Sequence, residues 1–83
     1  MLIQFYDRGS PRGKRLFADI KTLCRQLQID NDPEYIQEMH RPYSMGIQGK
    51  SILMINNQVV SVDKFPSLKE LEAILKDYQQ DDY

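Results

Sequence analysis

The sequence feature that most constrains the fold is a short apolar strand that runs directly into an amphipathic helix. Leu2 to Tyr6 are mostly apolar and are followed by Asp7-Arg8-Gly9. Ser10 is a favoured N-cap residue, and Pro11 fits the first helical position, where its missing N–H is no loss. The free N–H groups and the positive dipole end of such a helix stabilise a nearby anion. The turn between the two elements is therefore the first place to look for function.

The helix is predicted from Pro11 to Gln28, with apolar residues at helical spacing on one face. Cys24 lies on this face, so we expect it to pack in the core as a small hydrophobe. Gly13 in the first turn costs roughly 0.5–1 kcal/mol relative to alanine, which predicts that something at that position needs the space. The face comprises Leu16, Phe17, Ile20, Leu23, Cys24 and Leu27.

The rest of the chain predicts a short strand, a short helix, a hairpin and a last helix. The short elements fall in Glu34–Gln37 and Glu38–Ser44, after a turn at Asp30 to Pro33. Asn56-Asn57 separates two apolar runs, Ser51–Ile55 and Gln58–Val62, as in a two-residue hairpin. Ser67 and Glu70 have capping-box spacing, and an apolar face follows. That face comprises Leu68, Leu71, Ile74, Leu75 and Tyr78.

Length and charge bound the function. A chain of 83 residues fits one small domain, predicted over residues 1–78, with a frayed acidic tail over residues 79–83. A net charge of −1 disfavours general nucleic-acid binding. No stretch approaches the roughly 20 apolar residues of a membrane span, and the N-terminus does not look like a signal peptide. The single cysteine excludes an internal disulfide and a multi-thiolate metal site, and it favours a cytoplasmic location.

The predicted order β-α-β-α-β-β-α resembles the minimal thioredoxin fold of glutaredoxins and small thioredoxin-like proteins. The stretch from Met45 to Val60 resembles the second half of that family, in which a glycine-containing loop leads to a strand, a turn and a second strand. Asp30 to Met39 and Ser67 to Leu75 are also similar to the small members. The resemblance implies an α/β fold with a mixed four-stranded sheet and helices on both faces.

The chain departs from this family at its thiol site. The positions that match the Cys-x-x-Cys pair hold Ser10 and Gly13, and Ser51 stands where the family has a cis-proline. Thiol–disulfide exchange needs a thiolate, and a serine hydroxyl does not substitute for one. The resemblance thus implies the fold but argues against the family's oxidoreductase activity. Without proline, we expect a trans bond between Lys50 and Ser51. We expect no cofactor and no metal.

Two function classes stay open. The first is a non-catalytic thioredoxin-like module that binds a peptide or a partner protein in the groove beside Ser10 and Ser51. The second is a small-anion or glutathione-type binder or transferase that uses the basic N-terminus of the first helix, where Arg8 and Arg15 add to the charge. The candidate binding residues are Ser10, Arg12, Gly13, Lys14, Lys50 and Ser51.

Simpler interpretations exist for several of these residues. Ser10 is fully explained as an N-cap, the basic cluster as a solvated turn, and His40 as a surface histidine on a loop. The acidic C-terminal end is explained as a solvated tail, although a head-to-tail contact is conceivable. A homodimer through the predicted edge strand near Val59–Val62 is a further expectation, because no later strand in the sequence covers that edge.

Overall fold

Within residues 1–80, which the computed structural model describes, strands and helices alternate in the predicted order β-α-β-α-β-β-α. The elements are β1 (Ile3–Asp7), α1 (Pro11–Gln26), β2 (Glu34–Ile36), α2 (His40–Ser44), β3 (Ser51–Ile55), β4 (Gln58–Val62) and α3 (Leu68–Gln80). The type and order of every predicted element are confirmed. The helices α1 and α2 and the strand β2 are each one or two residues shorter than expected.

The strands form one mixed four-stranded sheet in the order β2-β1-β3-β4. β1 and β2 are parallel, and α1 makes the crossover between them. β3 is antiparallel to β1 and to β4. The central strands β1 and β3 are buried throughout. Their register pairs Asp7 with Ser51, so the last residue of β1 and the first residue of β3 lie side by side at one end of these two strands.

Alternation along the central strands divides the core between the two faces of the sheet. Ile3 and Phe5 of β1 point to the face covered by α1 and α3. Tyr6 points to the opposite face, where it packs with Met39, at the start of α2, and with Ile52. The first cluster is completed by Leu16, Ile20, Leu23, Cys24, Leu53, Ile55, Leu71 and Leu75. The burial of Cys24 in it is as predicted.

Helix α1 ends two residues earlier than its apolar pattern suggests. Gln28 takes a left-handed conformation with φ of 56°, which stops the helix. The Ile29 N–H donates to the Cys24 carbonyl, and the Gln28 N–H donates to the Arg25 carbonyl, as in a Schellman motif. A non-glycine residue in this role is uncommon, and for that reason the apolar spacing alone overestimated the helix.

Helix α3 begins with the predicted capping box, in which the Ser67 hydroxyl accepts from the Glu70 N–H. Leu71 and Leu75 are buried, but Leu68 is 48% exposed, so its predicted place on the apolar face is wrong. Leu68 is the first residue of α3 and precedes the turns that supply the buried leucines. The helix continues to Gln80, and Gln79 donates to the Leu27 carbonyl at 2.7 Å. Residues 81–83 of the predicted tail lie outside the described residues.

The hairpin turn is confirmed: Asn56 and Asn57 have φ of 52° and 65°. β4 forms an outer edge of the sheet, as expected, but its register with β3 shifts between Leu53 and Met54. The shift leaves Val60 as a bulge, a device that disturbs pairing along an exposed edge. In the part of the chain that the structure describes, no helix is both long and apolar enough to cross a membrane.

Candidate functional site

A buried carboxylate, that of Asp7, is the centre of the candidate site. Asp7 is the last residue of β1 and is 1% exposed. The Ser51 hydroxyl donates to its Oδ1 at 2.6 Å, and the Ser10 hydroxyl donates to the same oxygen at 2.9 Å. The Tyr35 hydroxyl donates to Oδ2 at 2.7 Å. Asp7 therefore links the β1–α1 turn, β2 and β3, and it brings Ser10 and Ser51 together as the sequence predicted for the groove.

The sheet register explains why these side chains meet. Ser51 stands opposite Asp7 in the antiparallel β1–β3 pair, and Phe5 stands beside Tyr35 in the parallel β1–β2 pair. The Tyr35 ring packs between Phe5 and Phe17, with ring centroids 6.0 and 5.2 Å away, and this packing aims its hydroxyl at the end of β1. The strand register thus positions the Ser51 hydroxyl, and packing in the core positions the Tyr35 hydroxyl.

Hydrogen bonding keeps the carboxylate ionised in spite of its burial. Burial raises the pKa of Asp7, but hydrogen bonds from Ser51, Tyr35, Ser10 and the Gly9 N–H together outweigh it and hold that pKa below its ordinary value. The same contact acts in the other direction on its partner. Burial, followed by the hydrogen bond to Asp7 and its negative charge, raises the pKa of Tyr35 to about 12. At neutral pH the pair is a carboxylate and a neutral phenol.

Gly13 is explained by this carboxylate. A Cβ atom on residue 13 would overlap the Asp7 carboxyl group, so the first turn of α1 accepts only glycine at this distance from β1. The prediction that something at position 13 needs the space is confirmed. Gly13 is buried behind Asp7 and does not line the groove. Its role as a binding residue therefore reduces to its N–H, which donates to the Ser10 hydroxyl at 3.0 Å.

Most backbone N–H donors at the start of α1 are already used inside the cluster. The Gly9 and Ser10 N–H groups both donate to Asp7 Oδ2, at 3.1 and 2.9 Å. The Lys14 N–H donates to the Ser10 carbonyl, and Pro11 has no N–H. The Asp7 carboxylate thus takes two of the donors that an anionic ligand would use beside this helix N-terminus, and among residues 1–80 the Arg12 N–H has no acceptor.

An open groove of about 870 Å³ lies in front of the cluster. The β1–α1 turn and the start of β3 line it, together with side chains from α2 and from the β4–α3 connection. Arg12 extends across Phe65, with its guanidinium carbon 4.2 Å from the ring centroid. The lining residues are Asp7, Arg8, Gly9, Ser10, Pro11, Arg12, Tyr43, Lys50, Ser51, Asp63 and Phe65.

The Asp63 side chain binds backbone N–H groups that line the groove. It has a left-handed φ of 56°, and its Oδ1 accepts from the Lys50 and Ser51 N–H groups at 2.6 and 2.9 Å. Its own N–H donates to the Ser51 carbonyl. The Tyr43 hydroxyl donates to the Gly49 carbonyl at 3.2 Å. The Lys50–Ser51 bond is trans, as expected; no cis peptide bond occurs in residues 1–80.

Comparisons of this chain with family models, with curated proteins and with solved structures found no match. The chemistry available in the groove is that of its own side chains. Cys24, the one cysteine of the sequence, lies in the core, where burial and then the charge of Asp32 raise its pKa. Among residues 1–80, no three histidine, cysteine, aspartate or glutamate residues are grouped as metal ligands would be.

Four of the six predicted binding residues meet in the groove: Ser10, Arg12, Lys50 and Ser51. Lys14 does not line it, and the end of its side chain lies near Gly9. His40 is an exposed surface residue, as predicted, although it begins α2 rather than lying on a loop, and it contacts Glu38 at 3.0 Å.

The sequence interpretation missed Asp7, Tyr43, Asp63 and Phe65. A signal existed for Asp7, because an aspartate that ends a buried strand three residues before a serine N-cap lies within reach of that cap. No local pattern marks the other three. They reach the groove from α2 and from the β4–α3 connection, which are distant from Ser10 in the chain.

Proposed function

We propose that this chain is a non-catalytic thioredoxin-like module that binds an extended segment of a partner protein in the groove beside Ser10 and Ser51, in a reducing cytoplasm. The element order and the sheet order β2-β1-β3-β4, with one parallel and two antiparallel pairs, support the thioredoxin-like assignment. The sequence resemblance described above supports it independently.

The observation that carries the proposal is the set of contacts made by the Asp7 carboxylate. It neighbours position 10, where the thioredoxin-like resemblance expects a reactive cysteine, and its negative charge disfavours a second anion there. The Ser10 hydroxyl is held between Asp7 and the Gly13 N–H, which is the geometry of an N-cap. Because Asp7 has a lowered pKa, it is also a weak base for activating that hydroxyl. These features favour binding over catalysis.

The same contacts disfavour the alternative of a small-anion or glutathione-type ligand. Such a ligand would need several backbone donors of the first helix turn, but the Gly9, Ser10 and Gly13 N–H groups already donate internally and leave the Arg12 N–H alone for it. The exposed apolar surface favours a peptide instead. Tyr43 is 45% exposed at the groove, and Met45, close by in the chain, is 48% exposed. An exposed aromatic side chain in a groove can contact an apolar side chain of a peptide.

A selection from a random peptide library tests this function. Peptides retained by the protein should shift the amide resonances of Arg12, Lys50 and Phe65 in heteronuclear spectra. Tyr43→Ala should lower the affinity for these peptides about tenfold, as loss of a contacting aromatic does at an interface. Leu68→Ala is the matched control, because Leu68 is equally exposed but lies on α3 outside the groove.

The proposal fails if no peptide is retained or if the shifts map away from the groove. Reduction of insulin by dithiothreitol in the presence of the protein supplies the second arm. We expect no acceleration above background, and turnover would overturn the non-catalytic assignment.

A further inference from the structure

We infer that the segment bound in this groove is acidic, with carboxylate side chains flanking one aromatic or large aliphatic side chain. The inference rests on the proposed function and names the chemical class of its partner. It follows from the cations that line the groove, from the hydrogen bonds that the groove's own carboxylates accept, and from the backbone N–H groups that Asp63 already binds.

The cations of the groove form no ion pair within the described chain. Arg8, Arg12 and Lys50 line the groove and are exposed. Within residues 1–80, the ion pairs are His40 with Glu38 and Lys76 with Glu72, and neither includes a groove residue. The three positive charges are therefore available to a ligand.

The two carboxylates of the groove only partly offset these charges. Asp7 is buried, and both of its oxygens accept from donors of the cluster. Asp63 directs Oδ1 to the backbone N–H groups of Lys50 and Ser51. Asp63 is exposed, but the lining holds three cations, Arg8, Arg12 and Lys50, against these two carboxylates. A ligand with carboxylates thus meets complementary charge.

Two aromatic side chains, Phe65 and Tyr43, line the groove together with the cations. Arg12 stacks on Phe65, which orients its planar guanidinium and leaves its edge free for a carboxylate. Tyr43 is shared between this groove and a second, smaller depression formed with Gly46 to Gly49. The groove therefore offers two aromatic contacts among three cations, which suits an extended segment that carries an apolar side chain among acidic ones.

The closed backbone makes side chains the means of recognition. Asp63 occupies the Lys50 and Ser51 N–H groups, so a ligand strand cannot pair with them unless it displaces this carboxylate. Affinity must then come from side-chain contacts, among which charge pairing with the rim is the most selective. The overall charge of −1 favours an acidic peptide over a nucleic acid, whose binders are usually basic.

A charge series of synthetic peptides tests the inference. The probes carry one phenylalanine between runs of glutamate, of glutamine or of lysine, and binding is measured by fluorescence anisotropy and by amide shifts. We expect the glutamate peptide to bind best, with an affinity that falls as salt is added. Arg12→Gln should weaken it about threefold to tenfold. Arg25→Gln, which removes an exposed cation from the far end of α1, should leave it unchanged.

Charge reversal gives the sharpest contrast. Arg12→Glu should lower the preference for the glutamate peptide over the lysine peptide, and a dispersed spectrum shows that the variant is folded. If the three peptides bind the groove equally, the acidic preference is overturned while the peptide-binding function stands. If none of them shifts a groove residue, both are overturned. A single-stranded oligonucleotide that binds the rim more tightly than the glutamate peptide would also overturn the inference.

Discussion

The Asp7 carboxylate and the Cα of Gly13 approach each other so closely that no side chain fits between them. This relationship couples the end of β1 to the first turn of α1. It predicts that Gly13→Ala destabilises the fold by about 1–3 kcal/mol, as overpacking does, although alanine favours a helix. In an Asp7→Ala background the overlap is gone, and the same substitution should stabilise by about 0.5–1 kcal/mol.

Urea unfolding of the four proteins in this cycle measures the effect, with sodium sulfate added to keep the weaker variants folded. The change of sign between the two backgrounds is the expected result. Equal effects in both backgrounds would mean that the space at position 13 is not limited by Asp7.

Acid sensitivity should follow from the lowered pKa of Asp7. Its pKa is lower in the folded state than the ordinary value of 3.8, so the unfolded chain binds this proton first as pH falls. The stabilisation is present above that ordinary value and is lost as pH falls through the folded value. We expect unfolding free energies to decline below about pH 4, and Asp7→Asn should flatten that decline. Asp77→Asn, on the exposed side of α3, is the control for net charge.

Tyr35 should show the opposite dependence at high pH. Its folded pKa of about 12 lies above the ordinary 10.0, so the neutral phenol contributes stability that is complete below 10 and is lost as pH rises towards 12. Ultraviolet titration should reveal a late tyrosinate transition that Tyr35→Phe removes. That variant should also lose about 1 kcal/mol of stability, because Asp7 loses one donor. A wild-type titration in which every tyrosine ionises near 10 would contradict this assignment.

A cysteine placed at position 10 should be a poor nucleophile. The Ser10 hydroxyl lies 2.9 Å from Asp7 Oδ1, and a neighbouring carboxylate favours the protonated thiol. In a Cys24→Ala background, Ser10→Cys should react with a thiol reagent more slowly at neutral pH than the Ser10→Cys, Asp7→Asn pair. The pH dependence of the rates gives the thiol pKa in each protein. Identical profiles would show that Asp7 does not control this position.

Association through β4 stays a prediction. The bulge at Val60 interrupts the edge, so any homodimer formed there should be weak and depend on concentration. Sedimentation equilibrium at increasing concentration tests it, with Val59→Lys as the variant that should abolish pairing, because Val59 is 40% exposed on this strand. A monomer at all concentrations, or a dimer that persists in the variant, would remove the edge as an interface.

Most of the fold was predictable because its signals are local. Apolar runs, the Asn56-Asn57 turn and the Ser67 capping box each depend on a few neighbouring residues. The errors arose where tertiary context decides. Gln28 ends α1 by adopting a left-handed conformation that its type does not favour, and Leu68 is apolar but lies where α3 meets solvent. Periodicity carries no information on either point.

The candidate site was predictable only in part. The resemblance aligned Ser10 and Ser51 across the sequence, and the structure brings both to one carboxylate oxygen. Asp7 was overlooked because a strand-terminal aspartate is ordinary in sequence, and its importance comes from donors 28 and 44 residues away. Phe65 shows the same limit, since its contact with Arg12 depends on how the β4–α3 connection folds back.

Asp63 binds the Lys50 and Ser51 N–H groups, so the residues that maintain the fold differ from those whose side chains face a partner. Asp7, Gly13 and Ser51 are buried and satisfied within the chain, whereas Arg12 and Lys50 are exposed and form no ion pair within residues 1–80. Substitutions among the exposed residues therefore alter the surface without disturbing the carboxylate cluster beneath it. Substitutions on such a surface can change the partner that the protein binds while the scaffold stays the same.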